Sequence, residues 1–128
     1  MAFLLDTNVA IHLRDGDPAI NAKVAALDDA ILLSIVTRVE LEGGVHRDAA
    51  DASARRARLD LLLSAIPVLA FDAAAADAYA AIVARAGYSR RKLLDRMIAA
   101  QALVHRATLV TMNAEDFRGI AGLEMLAW

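Results

Sequence analysis

Four carboxylates in the sequence occupy positions from which they could act together. Asp6 directly follows the apolar run at residues 2–5, and Glu40 lies one helical turn after a second apolar run. Asp95 lies near the start of a predicted helix that leads into a further strand, and Asp116 follows that strand. Carboxylates a few ångströms apart raise each other's pKa, so such a group needs a counter-charge. The spacing therefore suggests an acidic cluster built around a cation.

The ligand types in this cluster would select a hard metal ion. The sequence has no cysteine, and its three histidines show no i, i+4 pairing. An all-oxygen ligand set favours Mg²⁺, with Mn²⁺ as a substitute. Mg²⁺ keeps several waters and can activate one of them, which is the chemistry of phosphodiester hydrolysis. The chain has neither a Gly-rich phosphate loop nor a serine nucleophile elbow, so acyl transfer is not indicated.

Each carboxylate also has a purely structural interpretation. Asp6 is a good N-cap for a following helix, and Thr37 to Glu40 fits a capping box in which Glu40 accepts from the Thr37 backbone N–H. Asp95 is favourable in the first turn of a helix even if solvated, and Asp116 suits a turn. These alternatives remain open singly, but four of them coinciding at one sheet edge is less expected than one site.

Apolar runs and helical periodicity predict the elements that must position these side chains. Strands are predicted at residues 2–5, 30–36, 67–71, 108–111 and, as a fifth, 123–128. Helices are predicted at about 7–13, 18–27, 37–45, 49–66, 73–86 and 93–106. Strands separated by helices pair in parallel, with helices on both faces of the sheet. Ligands of such sheets bind beyond the carboxyl ends of the strands, where the acidic residues are expected.

Composition limits the remaining possibilities. The chain has 128 residues, is 59% hydrophobic and carries a net charge of −2, so we expect one domain spanning residues 1–128. The absence of cysteine excludes disulfides, thiolate metal sites and thiol catalysis. The negative balance argues mildly against a bulk nucleic-acid binder. The first residues lack the features of a signal peptide, and the Ala-rich stretch at 73–86 is too polar to span a bilayer, so a cytoplasmic protein is expected.

Four blocks of the sequence carry a family resemblance. They are residues 3–9 (FLLDTNV), 34–43 (SIVTRVELEG), 95–102 (DRMIAAQA) and 111–113 (TMN) followed by Asp116-Phe117. In this order and at this chain length, they resemble the PIN-domain ribonucleases, and within these the VapC-type toxins of bacterial toxin–antitoxin pairs. The resemblance implies a three-layer α/β/α sandwich with a parallel sheet of about five strands.

The resemblance also implies roles for particular residues. It implies that the acidic site consists of Asp6, Glu40, Asp95 and Asp116. Of these, Asp6, Asp95 and Asp116 would hold the metal, while polar supports that orient carboxylates or water would be Thr7, Asn8 and Thr111. Two departures from the family pattern are Leu94, where relatives often carry Asn or a small polar residue, and Asn113, which competes with Asp116 as the residue that completes the site.

The implied activity is endonucleolytic cleavage of structured RNA, either a tRNA or an rRNA loop, by metal-activated water. A small VapB-like antitoxin would bind and inhibit the enzyme, which would form a homodimer. Two other functions are considered. A non-catalytic PIN module would bind RNA or protein only. A phosphatase of the haloacid dehalogenase type also starts with Asp after its first strand, but it needs an acidic residue two positions later, where this chain has Asn8.

Basic residues near Asp95 form a second candidate feature. Five of them lie between residues 85 and 96 against the single acid Asp95, a local charge of five minus one, or +4. Such clusters contact phosphates, and we expect RNA contacts from Arg90, Arg91 and Lys92, although a solvated helix face is the alternative. A second group, at residues 55, 56 and 58, is expected to be a solvated face or an antitoxin contact.

Overall fold

A computed structural model describes all residues, 1–128. Its strands are β1 (Phe3–Leu5), β2 (Ile31–Ser34), β3 (Val68–Leu69), β4 (Thr108–Thr111) and β5 (Met125–Ala127). Its helices are α1 (Thr7–Arg14), α2 (Pro18–Ala25), α3 (Ile35–Val45), α4 (Ala52–Ala65), α5 (Ala73–Ala86) and α6 (Leu93–Val104), with a 3₁₀ helix at Ala114–Phe117. The strands form one parallel sheet in the order β3-β2-β1-β4-β5. The predicted α/β class and five-stranded parallel sheet are thus confirmed.

The direction of strand addition reverses beside β1. From β1 the chain adds β2 and then β3 on one side, and it then returns to add β4 on the other side of β1. Leu5 of β1 is in register with Val110 of β4, and the Asp6 backbone N–H donates to the Val110 carbonyl at 2.9 Å. The reversal of strand order opens a crevice beyond the carboxyl ends of these two strands. Asp6 stands at that point of the sheet.

Two hydrophobic cores lie on opposite faces of the sheet. Because successive strand residues point to opposite faces, Leu4 packs with α5 and α6 while Leu5 packs with α1, α3 and α4. Both leucines are 0% exposed, and truncating either to Ala would cost about 2–5 kcal/mol. The sheet therefore lies between a first helical layer, α1–α4, and a second helical layer, α5–α6.

The junction of β2 and α3 differs from the sequence prediction. β2 ends at Ser34, and α3 begins at Ile35 rather than at Thr37. The Ser34 hydroxyl accepts from the Val36 N–H at 2.9 Å, so Ser34 is the N-cap. The β-branched pair Ile35 and Val36 favours a strand locally, and this cap with tertiary packing overrides the preference. The capping-box interpretation of Glu40 is wrong because Thr37 lies inside the helix.

Other elements are shorter than predicted at their ends. The helices α2, α4 and α6 each lose residues at one or both predicted ends, and β3 retains only Val68–Leu69 of the predicted 67–71. Assignments vary by one or two residues at helix ends, and α4 begins three residues later than predicted. None of the residues lost at these ends is a candidate site residue. None of the helices combines the length and apolar character that crossing a membrane requires.

Candidate active site

Asp6 is buried at the carboxyl end of β1 with both of its carboxylate oxygens bound. The residue is only 4% exposed. Its Oδ1 accepts from the Thr7 backbone N–H at 2.8 Å, and its Oδ2 accepts from the Thr111 hydroxyl at 2.9 Å. Asp6 is therefore the N-cap of α1, as one alternative expected. Capping and a place in the acidic site are compatible, because each oxygen keeps a lone pair directed elsewhere.

The Thr111 hydroxyl has a defined direction. Its oxygen accepts from the Asn113 backbone N–H at 3.0 Å and its single proton goes to Asp6. Thr111 is 0% exposed and is the last residue of β4. The hydrogen bond thus joins the two strands on either side of the crevice, and it fixes the orientation of the Asp6 carboxylate.

Glu40 joins the same network through Thr7. The Thr7 hydroxyl donates to Glu40 Oε1 at 2.8 Å, and it lies 3.0 Å from the Thr37 hydroxyl. Since Thr7 gives its only proton to Glu40, Thr37 is the donor to Thr7. Glu40 is exposed as a whole residue, although its carboxylate is partly buried against Thr7. Its second oxygen, Oε2, has no protein donor, so that oxygen is open to a ligand. Thr37 was missed in the sequence; its position one helical turn before Glu40 was the available signal.

Asp95 lies half-buried in the first turn of α6. Burial, followed by the charges of Asp6, Asp116 and Glu40, raises the pKa of Asp95 to about 6, and the Lys92 ammonium opposes this rise. A fully solvated residue would not behave in this way. The carboxylates of four separate chain segments therefore act on one another at the carboxyl edge of the sheet.

The other carboxylates respond in the same direction. Burial raises the pKa of Asp6 against the opposing hydrogen bonds of Thr111 and Thr7, and the charge of Asp116 raises it further. Partial burial likewise raises the pKa of Glu40 against the hydrogen bond from Thr7, and the Asp6 charge adds to the rise. The site thus holds excess negative charge that a cation would relieve.

Asp116 and Asn113 differ in how they relate to this cluster. Asp116 is exposed in the 3₁₀ helix, and its charge acts on both Asp6 and Asp95. The Asn113 side chain makes no hydrogen bond with the acidic residues; only its backbone N–H takes part, through Thr111. Of the two residues that were considered to complete the site, Asp116 is the one that is electrostatically coupled to it.

The oxygen ligands of this site suit a hard cation, but the protein side chains alone do not supply a full ligand shell. No three of the His, Asp and Glu side chains lie close enough together to hold a metal ion by themselves. Mg²⁺ characteristically binds through one or two carboxylates and completes its octahedral shell with waters and substrate phosphates. An oxygen-only set of carboxylates that stand apart around a crevice is suited to that mode of binding and not to a closed protein cage.

Asn8 is the one predicted support that stays outside the network. It is exposed on α1, and its side chain makes no hydrogen bond with Asp6 or the other acidic residues. On a helix, adjacent residues point about 100° apart, so Asn8 turns away when Thr7 points at Glu40. Thr7 and Thr111, by contrast, each bond directly to a site carboxylate.

A buried polar group missed in the sequence ties α6 to the sheet. Gln101 is 0% exposed, and its amide Nε2 donates to the Leu69 and Ala70 carbonyls, both at 3.1 Å. The Ser34 hydroxyl donates to Gln101 Oε1. These contacts hold the helix that carries Asp95 against the ends of β2 and β3. A single polar residue on the apolar stripe of α6 was the signal in the sequence.

The basic residues around α6 fall into two kinds. Arg90 and Arg91 are exposed in the connection before α6, and Lys92 is half-buried close to Asp95; none of the three forms an ion pair. Arg96 is buried at 7% exposure, and its guanidinium donates to the Gly87 carbonyl at 2.7 Å. Arg96 therefore holds the α5–α6 connection in place, and the other cations remain available to solvent or a ligand.

Comparison with known proteins gives consistent relatives over the whole chain. The sequence profile of the family described as PIN domain matches residues 3–123. A tRNA(fMet)-specific endonuclease VapC from Shigella flexneri is 30% identical over 131 residues, which cover 100% of this chain and 98% of the relative. Ribonuclease VapC2 from Rickettsia felis is 27% identical over 135 residues, again with 100% and 98% coverage.

Solved structures agree with these sequence relatives. A chain in the crystal structure of DNA-bound VapBC from Salmonella typhimurium superposes with a TM-score of 0.86 and 28% identity, covering 100% of this chain and 98% of that one. VapBC2 from Rickettsia felis, bound to a DNA fragment from the promoter, gives a TM-score of 0.84 and 25% identity, with coverage of 100% and 99%. Both are structures of VapBC bound to DNA, and both share the fold described above.

Proposed function

Because the chain belongs to the PIN-domain family, as a ribonuclease of the VapC type, we propose that its acidic site hydrolyses RNA internally with Mg²⁺ as cofactor. One observation carries this proposal. Asp6 is buried in the crevice between β1 and β4, held by hydrogen bonds to both oxygens, while Glu40, Asp95 and Asp116 approach from three other segments. Because the chain belongs to the PIN-domain family, the alternative of a haloacid dehalogenase-type phosphatase is no longer supported.

We assign the residues of the site two kinds of role, holding the metal ion and orienting the carboxylates. Asp6 and Asp95 would hold the ion directly, with Asp116 as the third carboxylate, and the supports Thr111 and Thr7 would keep two carboxylates oriented. Bound Mg²⁺ supplies charge neutralisation at the phosphoryl oxygens and lowers the pKa of a bound water.

Glu40 is suited to handle the proton of the attacking water. Its Oε1 is engaged by Thr7, whereas its Oε2 has no donor in the protein, so Oε2 can receive the proton as the water oxygen bonds to phosphorus. Partial burial is the main effect that raises the pKa of Glu40, and a carboxylate with a raised pKa is a more efficient general base near neutral pH; the smaller effect of the Asp6 charge would be cancelled by a bound cation. The leaving ribose oxygen takes a proton from solvent, and the two RNA ends separate.

The substrate and partners are proposed from the relatives. The name of the Shigella relative specifies a tRNA, and we propose structured RNA, either a tRNA or an rRNA loop, in the cytoplasm. A VapB-like antitoxin would inhibit the enzyme, as the complexes among the solved relatives suggest. Two apolar grooves are candidate contact areas. The groove beside the exposed Val39 and Leu94 would contact a second copy of the chain, and the groove beside the exposed Leu61 would contact the antitoxin.

The test compares the purified chain with Asp95→Asn and with Asp77→Asn, a matched change at an exposed acid on α5. Total cellular RNA is incubated with Mg²⁺ or with EDTA, and new RNA ends are mapped by sequencing. We expect discrete cuts for the wild type and Asp77→Asn only when Mg²⁺ is present, and none for Asp95→Asn. Equal cutting by Asp95→Asn, or cutting that persists in EDTA, would contradict the proposal.

The oligomeric state is tested separately. Size-exclusion chromatography with light scattering should give twice the mass of the chain, and Val39→Glu, which adds charge to the apolar groove, should reduce it to the mass of a single chain. A single-chain mass for the wild type would contradict the proposed homodimer without affecting the proposed chemistry.

A further inference from the structure

A cleft between α1, α3 and α4 adjoins the acidic site. It has a volume of about 290 Å³, and its lining includes Thr7 and Glu40 at the side of the carboxylates. The rest of the lining is dominated by the three arginines Arg14, Arg47 and Arg55. We call this feature the arginine cleft. It opens in the first helical layer, whereas the segment Arg90–Lys92 precedes α6 of the second layer.

Two guanidinium groups converge on Gly44 inside the cleft. Arg55 donates from Nη1 to the Gly44 carbonyl at 3.0 Å. A Cβ built on Gly44 would lie 3.7 Å from Arg14 Nη1, which places the second guanidinium at the same residue. Two like charges near the same residue repel each other, and a negative group between them would relieve that repulsion.

The protein itself supplies little of that negative charge. Arg14 pairs with Asp15 through Nε at 3.0 Å and its side chain is 8% exposed. Arg55 and Arg47 form no ion pair with any carboxylate. Against the three arginines, the cleft holds only Asp15 and, at its border with the site, Glu40. The cleft therefore retains a positive excess and unused guanidinium donors.

A phosphate group matches these donors. Guanidinium groups present planar pairs of N–H donors that bind phosphate oxygens in a bidentate manner. A phosphodiester carries one negative charge, which would balance the excess of the cleft. The carboxylates on the cleft lining do not fill this role, because Asp15 is paired with Arg14 and Glu40 forms no ion pair with any of the three arginines.

We propose that the arginine cleft binds a phosphodiester of the RNA strand next to the one that is cleaved. The inference rests on the proposed nuclease function, and it adds a substrate contact in the layer opposite the Arg90–Lys92 segment. Thr7 and Glu40 border both the cleft and the acidic centre. RNA lying across the carboxyl edge of the sheet would therefore touch cations on either side of the scissile bond. Arg55 is partly buried and bonded to Gly44 instead of lying on a fully solvated face, which is why we assign it this role; the expected antitoxin contact stays a prediction.

The experiment measures RNA binding without cleavage. In an Asp95→Asn parent, fluorescence anisotropy gives the Kd of a labelled single-stranded RNA at several salt concentrations. Arg55→Gln should weaken binding about tenfold, as for loss of one charge-assisted pair, and should reduce the slope of log Kd against log salt by about 0.7, the value for one single-strand phosphate contact. Arg47→Gln should act in the same direction. Because the Arg47 side chain is exposed and makes no hydrogen bond, and its backbone N–H bond to the Gly44 carbonyl is kept in Gln, this second variant does not endanger folding.

The control is Arg106→Gln, an exposed arginine just before β4 at the amino edge of the sheet, which should leave Kd and slope unchanged. Unaltered binding by both cleft variants, with a parent that binds RNA, would overturn the inference alone. A parent that fails to bind any RNA would overturn the proposed function as well. If the cleft variants lose binding only to a poly-glutamate peptide, the cleft serves an acidic protein segment and the RNA inference is wrong.

Discussion

The hydroxyl of Thr111 donates a 2.9 Å hydrogen bond to Oδ2 of Asp6, which is 105 positions away in the chain. The bond spans the two strands at which the strand order of the sheet reverses. It also opposes the effect of burial on the pKa of Asp6. One threonine thus keeps a buried carboxylate both oriented and easier to ionise, which is what a metal ligand needs.

Replacing Thr111 with Val tests this relationship. The shape is kept while the hydroxyl is lost, so the pKa of Asp6 should rise further and its orientation should loosen. We expect RNA cleavage to fall about 10- to 100-fold, as for other residues that support a metal ligand, with a higher Mg²⁺ concentration needed for half-maximal rate. The control is Thr108→Val at the other end of the same strand. Wild-type rates for both variants would count against a supporting role.

The ionised carboxylate of Asp95 should lower the free energy of unfolding when no metal is bound. Its pKa is about 6 in the folded protein against 3.8 for the free group. Between these values the folded state holds a proton that the unfolded chain has released, so the free energy of unfolding falls as pH rises through this window. Above it, the ionised carboxylate destabilises the fold by roughly 1–2 kcal/mol after allowance for solvent screening.

Asp95→Asn should therefore stabilise the metal-free protein while abolishing activity. Thermal unfolding in EDTA should give a Tm about 3–6 °C above wild type near pH 7.5. The gain should become small near pH 4, because Asp95 of the folded protein is then protonated and the unfolded chain has begun to protonate. Asp77→Asn, at an exposed position on α5, should show no gain at either pH. A Tm gain that is the same at both pH values would mean that the charge of Asp95 is not the cause.

Mg²⁺ should stabilise the wild-type protein in a pH-dependent way. A ligand that binds only the folded state raises its stability with ligand concentration, and protons compete for carboxylates whose pKa is raised. Millimolar Mg²⁺ should therefore raise Tm clearly near pH 7.5 and little near pH 5. Asp6→Asn should remove most of the shift. Scanning fluorimetry measures it, and an equal shift in Asp6→Asn would indicate that the ion binds elsewhere.

Gln101→Leu should destabilise the fold. The substitution keeps the volume but leaves the Leu69 and Ala70 carbonyls and the Ser34 hydroxyl without their partner. Unpaired buried polar groups cost about 1–3 kcal/mol each, partly relieved by water, so a loss of about 2–4 kcal/mol is expected. Urea unfolding measures it, with Asn21→Leu, an exposed amide on α2, as control. A loss below about 1 kcal/mol would show that these contacts contribute little.

The segment before α6 should contribute to RNA affinity through charge. Changing Arg90, Arg91 and Lys92 together to Ala should weaken RNA binding and lower the slope of log K against log salt by about 2, near 0.7 for each single-strand phosphate contact. Binding is measured in the Asp95→Asn parent by anisotropy. Retention of the full salt slope would assign these residues to a solvated face.

Much of the fold could be predicted because local patterns constrain it strongly. Short apolar runs broken by helical stripes are compatible with a parallel sheet covered on both faces, and parallel strands all end at one edge. Asp6, Glu40 and Asp116, which follow the ends of three predicted strands, could therefore be assigned to the same edge from the sequence alone. Asp95 needed more, since only the start of α6 at Leu93 puts it there.

Local preference misled the prediction where distant contacts dominate. Ile35 and Val36 favour a strand by their β-branching, yet they begin α3 because Ser34 caps the helix and bonds to Gln101, 67 positions away. The interpretation of Glu40 changed for the same reason. A capping box depends on residues three apart, whereas the actual donor to Glu40 is Thr7, 33 positions away.

The sequence by itself determined the layers, the edge at which the carboxylates gather and the oxygen-only chemistry that suits a hard cation. The tertiary structure decided which partner each oxygen has, how far burial raises the pKa of Asp95, and that Arg55 turns into a cleft beside Glu40. Periodicity reports only which face of an element a residue occupies. Hydrogen bonds and charge effects depend on distances between atoms of remote segments, and those distances exist only once the chain has folded.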